Sequence, residues 1–269
     1  MGKTFKAFTG EIAAAGPLDA TRSGARSVRR AEMERRSAAS AKNELARIRA
    51  ALGRELLSIE GPPNTTPMDI LEAISSRRSV KQFDPGHRIS DAEIARLIEA
   101  GMQAPTSFNI QHWRFVVVRD PELRKQIRAV GNDQAQMTDA SLLIVMTADV
   151  QAWRKEPQRY WRNAPPEVAE LLVNWMGPFH EGRPVLQRDE AQRSIGMAMQ
   201  TIMLAARGMG YDSCPMIGFD HGAVAELIRL PDDHCMGPMV AVGKKTKEPW
   251  AKPGQLSLDE VMIVDRFGG

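Results

Sequence analysis

The sequence predicts a mixed α/β domain, and three observations predict it. Capped segments with helical spacing alternate with short, continuous, β-branched apolar runs, and a long segment of small side chains and methionines fits a buried helix. A helix over residues 68–76 opens the domain, capped by Thr66 with Pro67 behind it. A second helix covers 90–100: Ser90 and Glu93 form a capping box, and Ile94, Leu97 and Ile98 mark its buried face. Residues 115–118 are bounded by Asp120 and Pro121 and read as a central strand, as do residues 142–147. The helix over 194–207 carries Met197, Met199 and Met203 and is apolar nearly all round, which places it against a core or a partner subunit. Strands over 239–242 and 258–264 complete the pattern.

Gross properties narrow the class of function. The chain has 269 residues, enough for a substantial core without disulfides. Its two cysteines, Cys214 and Cys235, have neither zinc-like nor Cys-x-x-Cys spacing. They favour a reducing, cytoplasmic setting, and no metal site is expected. No apolar run approaches the ~20 residues that span a bilayer, and no signal-peptide core stands at the N-terminus. Residues 1–63 form a basic, partly helical extension and linker, and residues 64–269 the enzyme-like domain. Arg22, Arg26, Arg29, Arg30, Arg35 and Arg36 crowd the extension without aromatic partners, so a solvated arm is expected rather than a nucleic-acid surface. Leu45, Ile48, Leu52, Leu56 and Ile59 form one helical stripe before Gly61, Pro62 and Pro63 break the chain.

Three segments carry chemistry. Arg77, Arg78, Ser79 and Lys81 end the first helix with two guanidiniums, a hydroxyl and an ammonium, a set that can surround a phosphate; a solvated basic surface is the plain alternative. Thr106, Ser107, Asn109 and Gln111 precede the first strand, where their side chains can read the edge of a planar heterocycle or simply make a helix-to-strand connection. Ile217 and Gly218 offer backbone amides to a ligand, unless the segment is only a tight turn into a helix over 222–230 capped by Asp220. No GxGxxG dinucleotide fingerprint appears. The aromatics between Trp153 and His180 suit either a substrate lid or a packing insertion, and His112, His180, His221 and His234 read as polar surface or loop residues.

Taken in order, these segments resemble the FMN-dependent nitroreductases, whose chains begin with a helix ending in Arg-x-Ser-x-Arg/Lys-x-Phe. The likeness runs from about Met68 to the C-terminus through Arg77–Phe83, Ala104–Trp113, the run from Asp139, the Pro215–Asp220 segment and the closing Leu256–Val261, and it excludes the extension. The resemblance implies an α+β fold with a mixed, mostly antiparallel central sheet flanked by helices, and a homodimer with FMN at the subunit interface. It implies that Arg77 and Ser79 hold the FMN phosphate with help from Arg78, and that Lys81 reaches the ribityl chain and pyrimidine side. Pro105, Thr106, Ser107 and Asn109 would lie over the flavin of the other subunit, Ile217 and Gly218 would face the ring near N5 and O4, and Gln134 would touch its polar edge.

The resemblance implies a further basic phosphate ligand near the C-terminus, for which Lys252 is the best-aligned candidate; Gly254 and Gln255 depart from the family's arginine, so Lys244, Lys245 or Lys247 could substitute unless they are only a solvated basic strand end. The implied activity is ping-pong hydride transfer from NADH or NADPH to a nitroaromatic, quinone or related small-molecule acceptor, with no side chain as catalytic acid or base. A specialised flavin-dependent dehydrogenase or dehalogenase, or a flavin-holding interaction protein, is the alternative.

Overall fold

A computed structural model describes residues 68–267 together with Glu32. The basic extension, its helical stripe, the Gly61–Pro63 linker and the Thr66 cap lie outside the described residues. Helix α1 spans Ile70–Ser76, and Asp69 caps it by accepting hydrogen bonds from the amides of Leu71 and Glu72 at 2.8 and 3.3 Å. The capping box foreseen at Ser90 and Glu93 is formed at the start of α2, Asp91–Met102. Strand β1 (Trp113–Val118), helices α3 (Pro121–Ala129) and α4 (Gln136–Asp139), and strand β2 (Leu142–Asp149) follow.

After two 3-10 turns come α5 (Pro166–His180) and the 25-residue α6 (Pro184–Gly208). Strand β3 (Asp212–Met216), helix α7 (His221–Leu227), strand β4 (His234–Gly243) and helix α8 (Leu258–Val261) close the chain. Asp220 caps α7 as its spacing suggests, accepting from the Ala223 amide at 2.9 Å.

The four strands pair antiparallel in the order β1-β2-β4-β3, and outside the named strands Ser79 adds an isolated parallel bridge to Ser213 at the edge. β2 lies inside the sheet and is buried along its whole length. Its side chains alternate between two clusters: Leu142, Ile144, Met146 and Ala148 pack with α2 and α6, while Leu143 and Val145 pack with Val118, Ile127, Met137 and Val224. Covered on both faces, β2 has no reason to alternate polar with apolar residues, which is why it reads as one apolar run.

Two expectations are corrected. Residues 258–264 do not form a strand: Ser257 and Glu260 make a capping box that folds Leu258–Val261 into a helical turn. Strand β3 was not foreseen, since the segment read as a ligand-facing stretch or a tight turn; it carries Pro215, whose missing amide costs no ladder bond at the sheet edge. The long helix is also less uniformly buried than its composition suggests. Ala191, Ile195, Ala198, Ile202 and Ala206 face the sheet, while Met197 remains partly exposed.

Candidate active site

The end of α1 is tied directly to the sheet edge. Arg77 is the C-cap, its amide donating to Ala73 O, and the chain then runs beside β3, where the Val80 amide donates to Ser213 O at 3.1 Å. Val80 is buried in the second core cluster, so its neighbours Ser79 and Lys81 are directed outward. One guanidinium nitrogen of Arg77, Nη1, is buried without a hydrogen-bond partner. Lys81 Nζ lies 3.4 Å from Cys214 Sγ on β3. Burial pushes the Cys214 thiol up from its ordinary pKa, and the charges of Lys81 and Arg77 pull it partly back. Arg77, Ser79 and Lys81 thus form a cationic cradle along β3. Arg78 behaves differently: its Nη1 donates to Ser75 O and Arg77 O, turning the charge back over its own helix end.

A chain of amides extends this cradle. Gln136, buried, interacts with Cys214 and donates to Gln134 Oε1 at 3.1 Å; Gln134 Nε2 donates to Gly218 O at 2.8 Å, and Asn132 Nδ2 reaches the same oxygen at 2.9 Å. Two side-chain amides therefore fix the peptide after Gly218, while Ile217 stands 71% exposed. Gln134 was expected to touch a ligand itself; in this structure its amide nitrogen is occupied by the Gly218 and Gly131 carbonyls. Asn132, Gln136 and Cys214 were not singled out from the sequence. Three amides within residues 132–136 were the available signal.

The remaining basic candidates separate. Lys244 donates to Gly210 O and lies over the Tyr211 ring, and Lys245 pairs with Glu248 at 2.8 Å beside its bridge to Phe83. Lys247 is exposed. Lys252 lies on an exposed C-terminal stretch and makes no hydrogen bond or ion pair among the described residues.

The segment of Pro105, Thr106, Ser107 and Asn109 is elsewhere. Thr106 Oγ1 accepts from the Gln111 amide at 3.0 Å, Asn109 Nδ2 donates to Tyr160 O at 2.8 Å, and Ser107 Oγ is buried without a partner. Phe108, Asn109 and Gln111 all have left-handed backbone, at φ 49, 54 and 54°, an unusual concentration for residues other than glycine. This loop enters β1 at Trp113, opposite Ala148 of β2, whereas Ser79 bridges Ser213, which pairs through Val242 to Leu142 at the other end of β2. Six residues of strand separate the two levels, about 20 Å at ~3.4 Å per residue. One protomer therefore does not bring this loop to the Arg77 cradle.

The aromatic segment divides its side chains. Tyr160, Met176, Trp153 and Trp161 pack inward with Phe108 and Ile110, while Leu171 and Trp175 of α5 are exposed. His112 and His180 are wholly buried, which corrects their reading as surface residues. His112 Nδ1 lies 3.1 Å from Ser194 Oγ, whose hydroxyl donates to Glu190 O, so Nδ1 carries the proton. Met176 O fixes the same tautomer in His180, at 2.8 Å, and Trp153 stacks on that ring. Asp149, Asp233 and His234 also converge, around the Lys155 ammonium, which is 2.8 Å from Asp149 and 2.5 Å from Asp233.

An antiparallel sheet between helical layers, with a cationic cradle on its edge strand, places the chain in a known class: it belongs to the nitroreductase family, whose signature matches residues 74–244. Protein DrgA of Synechocystis sp. is 59% identical over 204 residues, covering 74% of this chain and 97% of DrgA. A Bacillus subtilis relative named "Putative NAD(P)H nitroreductase MhqN" is 29% identical over 181 residues, 65% of this chain and 88% of the relative. The solved structure of "a putative NAD(P)H:FMN oxidoreductase" from Staphylococcus epidermidis superposes with a TM-score of 0.70 at 26% identity, covering 76% of this chain and all of that one. A nitroreductase-like chain from Exiguobacterium sibiricum, solved in complex with FMN, shares the fold with a TM-score of 0.69 at 23% identity, over 74% and 99% of the two chains.

Proposed function

We propose that this protein is an FMN-dependent oxidoreductase that passes hydride from NADH or NADPH to a nitroaromatic, quinone or related conjugated acceptor in a ping-pong cycle. The observation that carries the reading is the buried, unpartnered Nη1 of Arg77 beside Ser79 and Lys81. A buried guanidinium nitrogen without an acceptor is costly, and a phosphate oxygen is the partner that satisfies it. The family membership and the FMN-bound relative support the same cofactor. Bound FMN would supply hydride acceptance and release at one ring face.

The chain's own residues bind, orient and tune. Arg77 and Ser79 hold the phosphate, and Lys81 sets positive charge toward the ring edge where reduction gathers negative charge. The Gly218 peptide, fixed by Asn132 and Gln134, presents the Ile217–Gly218 backbone without reorganisation. No side chain is required to act as acid or base. The exposed outer face of α5, with Leu171 and Trp175, suits a lid over a flat acceptor. No described helix is long and apolar enough to cross a membrane, and we place the reaction in the cytoplasm, where reduced nicotinamides are available.

We further infer a homodimer in which each subunit lays its Pro105–Asn109 loop over the partner's flavin. The ~20 Å between that loop and the Arg77 cradle supports this reading. So does the C-terminal stretch, where Trp250, Leu256, Leu258, Val261, Met262, Val264 and Phe267 are each more than half exposed, too much apolar surface for a lone chain. β1, at the sheet edge, offers an apolar strand to be covered.

The test begins with colour. The purified protein is expected to be yellow, to bleach anaerobically with NADH or NADPH, and to recolour on adding a nitroaromatic or quinone. A yellow protein that neither nicotinamide bleaches would favour the specialised dehydrogenase or the flavin-holding interaction protein. Ending the chain after Pro249 is expected to convert a dimer to a monomer in sedimentation velocity and to release flavin; an intact truncated dimer would exclude the C-terminal arm from the interface.

A further inference from the structure

Arg124 on α3 divides its guanidinium between two tasks. Its Nη1 donates to Ala140 O at 2.8 Å and more weakly to Thr138 O at 3.4 Å, stapling the turn from α4 into β2. Its Nε and Nη2 are buried and meet no acceptor. These two nitrogens form the side-on edge of the guanidinium, where parallel donors are spaced to meet two oxygens of one carboxylate or phosphate.

The charges around this edge leave it positive. Asp139 attracts Arg124, but it accepts a hydrogen bond from Thr138 Oγ1 at 2.8 Å and makes no ion pair with Arg124 among the described residues. Arg88 repels Arg124 more strongly than Asp139 attracts it; together with burial, the largest cause, this pushes the guanidinium below its ordinary pKa. Arg88 is held in place by its own loop, its Nη1 donating to Pro85 O at 2.6 Å and His87 O at 3.0 Å, while Ser141 anchors His87. One turn along α3, Arg128 is by contrast paired, with Asp133 at 2.7 Å and Thr138 Oγ1 at 2.9 Å. Uncompensated positive charge is therefore concentrated where Arg88 and Arg124 approach each other.

We propose that the Nε and Nη2 edge of Arg124, together with Arg88, forms a binding site for a small oxyanion, a carboxylate or a phosphate group. The site stands apart from the flavin reading. The Arg124 guanidinium is docked at the entry to β2, whereas Ser79 bridges the outer side of β3, three strand spacings away across the sheet, or about 14 Å at ~4.8 Å per spacing. An anion held there would join the loop of residues 84–89, which leads into α2, to the α4–β2 turn.

The experiment is isothermal titration calorimetry on the flavin-saturated full-length protein at fixed ionic strength, with inorganic phosphate and acetate as separate probes. One saturable site per chain is expected for at least one probe, and the one preferred identifies the ligand class. Arg88→Gln, an exposed substitution that leaves the staple intact, is expected to weaken binding about tenfold, the effect of losing one close charge. Arg124→Lys, which keeps the charge but not the fork, should weaken it at least as much. Arg77→Gln should leave this binding unchanged, so failure of the flavin reading does not touch it. The proposal is overturned if neither probe saturates, if Arg88→Gln and Arg124→Lys bind as the unaltered protein does, or if binding disappears with Arg77.

Discussion

Arg77→Gln protein is expected to lose about a hundredfold in FMN affinity, roughly 3 kcal/mol, the scale of a desolvated charge-assisted contact to phosphate. The substitution leaves the fold's own contacts alone. The Arg77 amide still caps α1 through Ala73 O, and its buried Nη1 has no protein partner to lose. Flavin-free Arg77→Gln protein should therefore unfold at the same denaturant concentration as the flavin-free parent. Arg77→Lys should recover only part of the affinity, because an ammonium cannot present a planar fork. Quenching of FMN fluorescence measures both variants, and an unchanged dissociation constant for Arg77→Gln would remove the phosphate from this cradle.

Acid should weaken the fold through His112. Burial first, and the neighbouring His180 second, push its pKa down from 6.5 to about 4. The folded state therefore keeps His112 neutral where the unfolded chain protonates it. The stabilisation is complete above the unfolded value and falls away as the pH drops through the window from 6.5 to about 4. Linkage gives a loss of roughly 2 kcal/mol between pH 7 and 5, approaching about 3 kcal/mol at pH 4. His180, also pushed down by burial, adds to the slope in the same direction. His112→Gln keeps a donor toward Ser194 but cannot titrate. Urea midpoints at pH 7 and 5 should lie closer together in that variant than in the parent, with His180 left to supply the remaining slope, and equal separations would show that His112 does not carry the acid sensitivity.

These two residues differ in how visible they were beforehand. Arg77 could be singled out as a candidate because helix end, basic cluster and serine are adjacent in the chain, and local chemistry needs no knowledge of the fold. His112 was read as a surface residue because a polar side chain near a loop carries no local sign of burial; only the packing of α5 and α6 around it, and the hydrogen bond it donates to Ser194, removed it from water.

Spacing and capping by themselves determined the helix after Ser90, the Asp220 cap, the apolar strand β2 and the order of the three site segments. Each depends on residues within a few positions of one another. Tertiary structure alone decided that Pro215 sits in an edge strand and that Gln134 and Asn132 share the Gly218 carbonyl across more than eighty residues of sequence. It also decided that the Thr106 loop and the Arg77 cradle occupy opposite ends of the sheet. The physical reason is that strand pairing and side-chain burial join residues remote along the chain, and neither a hydropathy period nor a motif records which partners will meet.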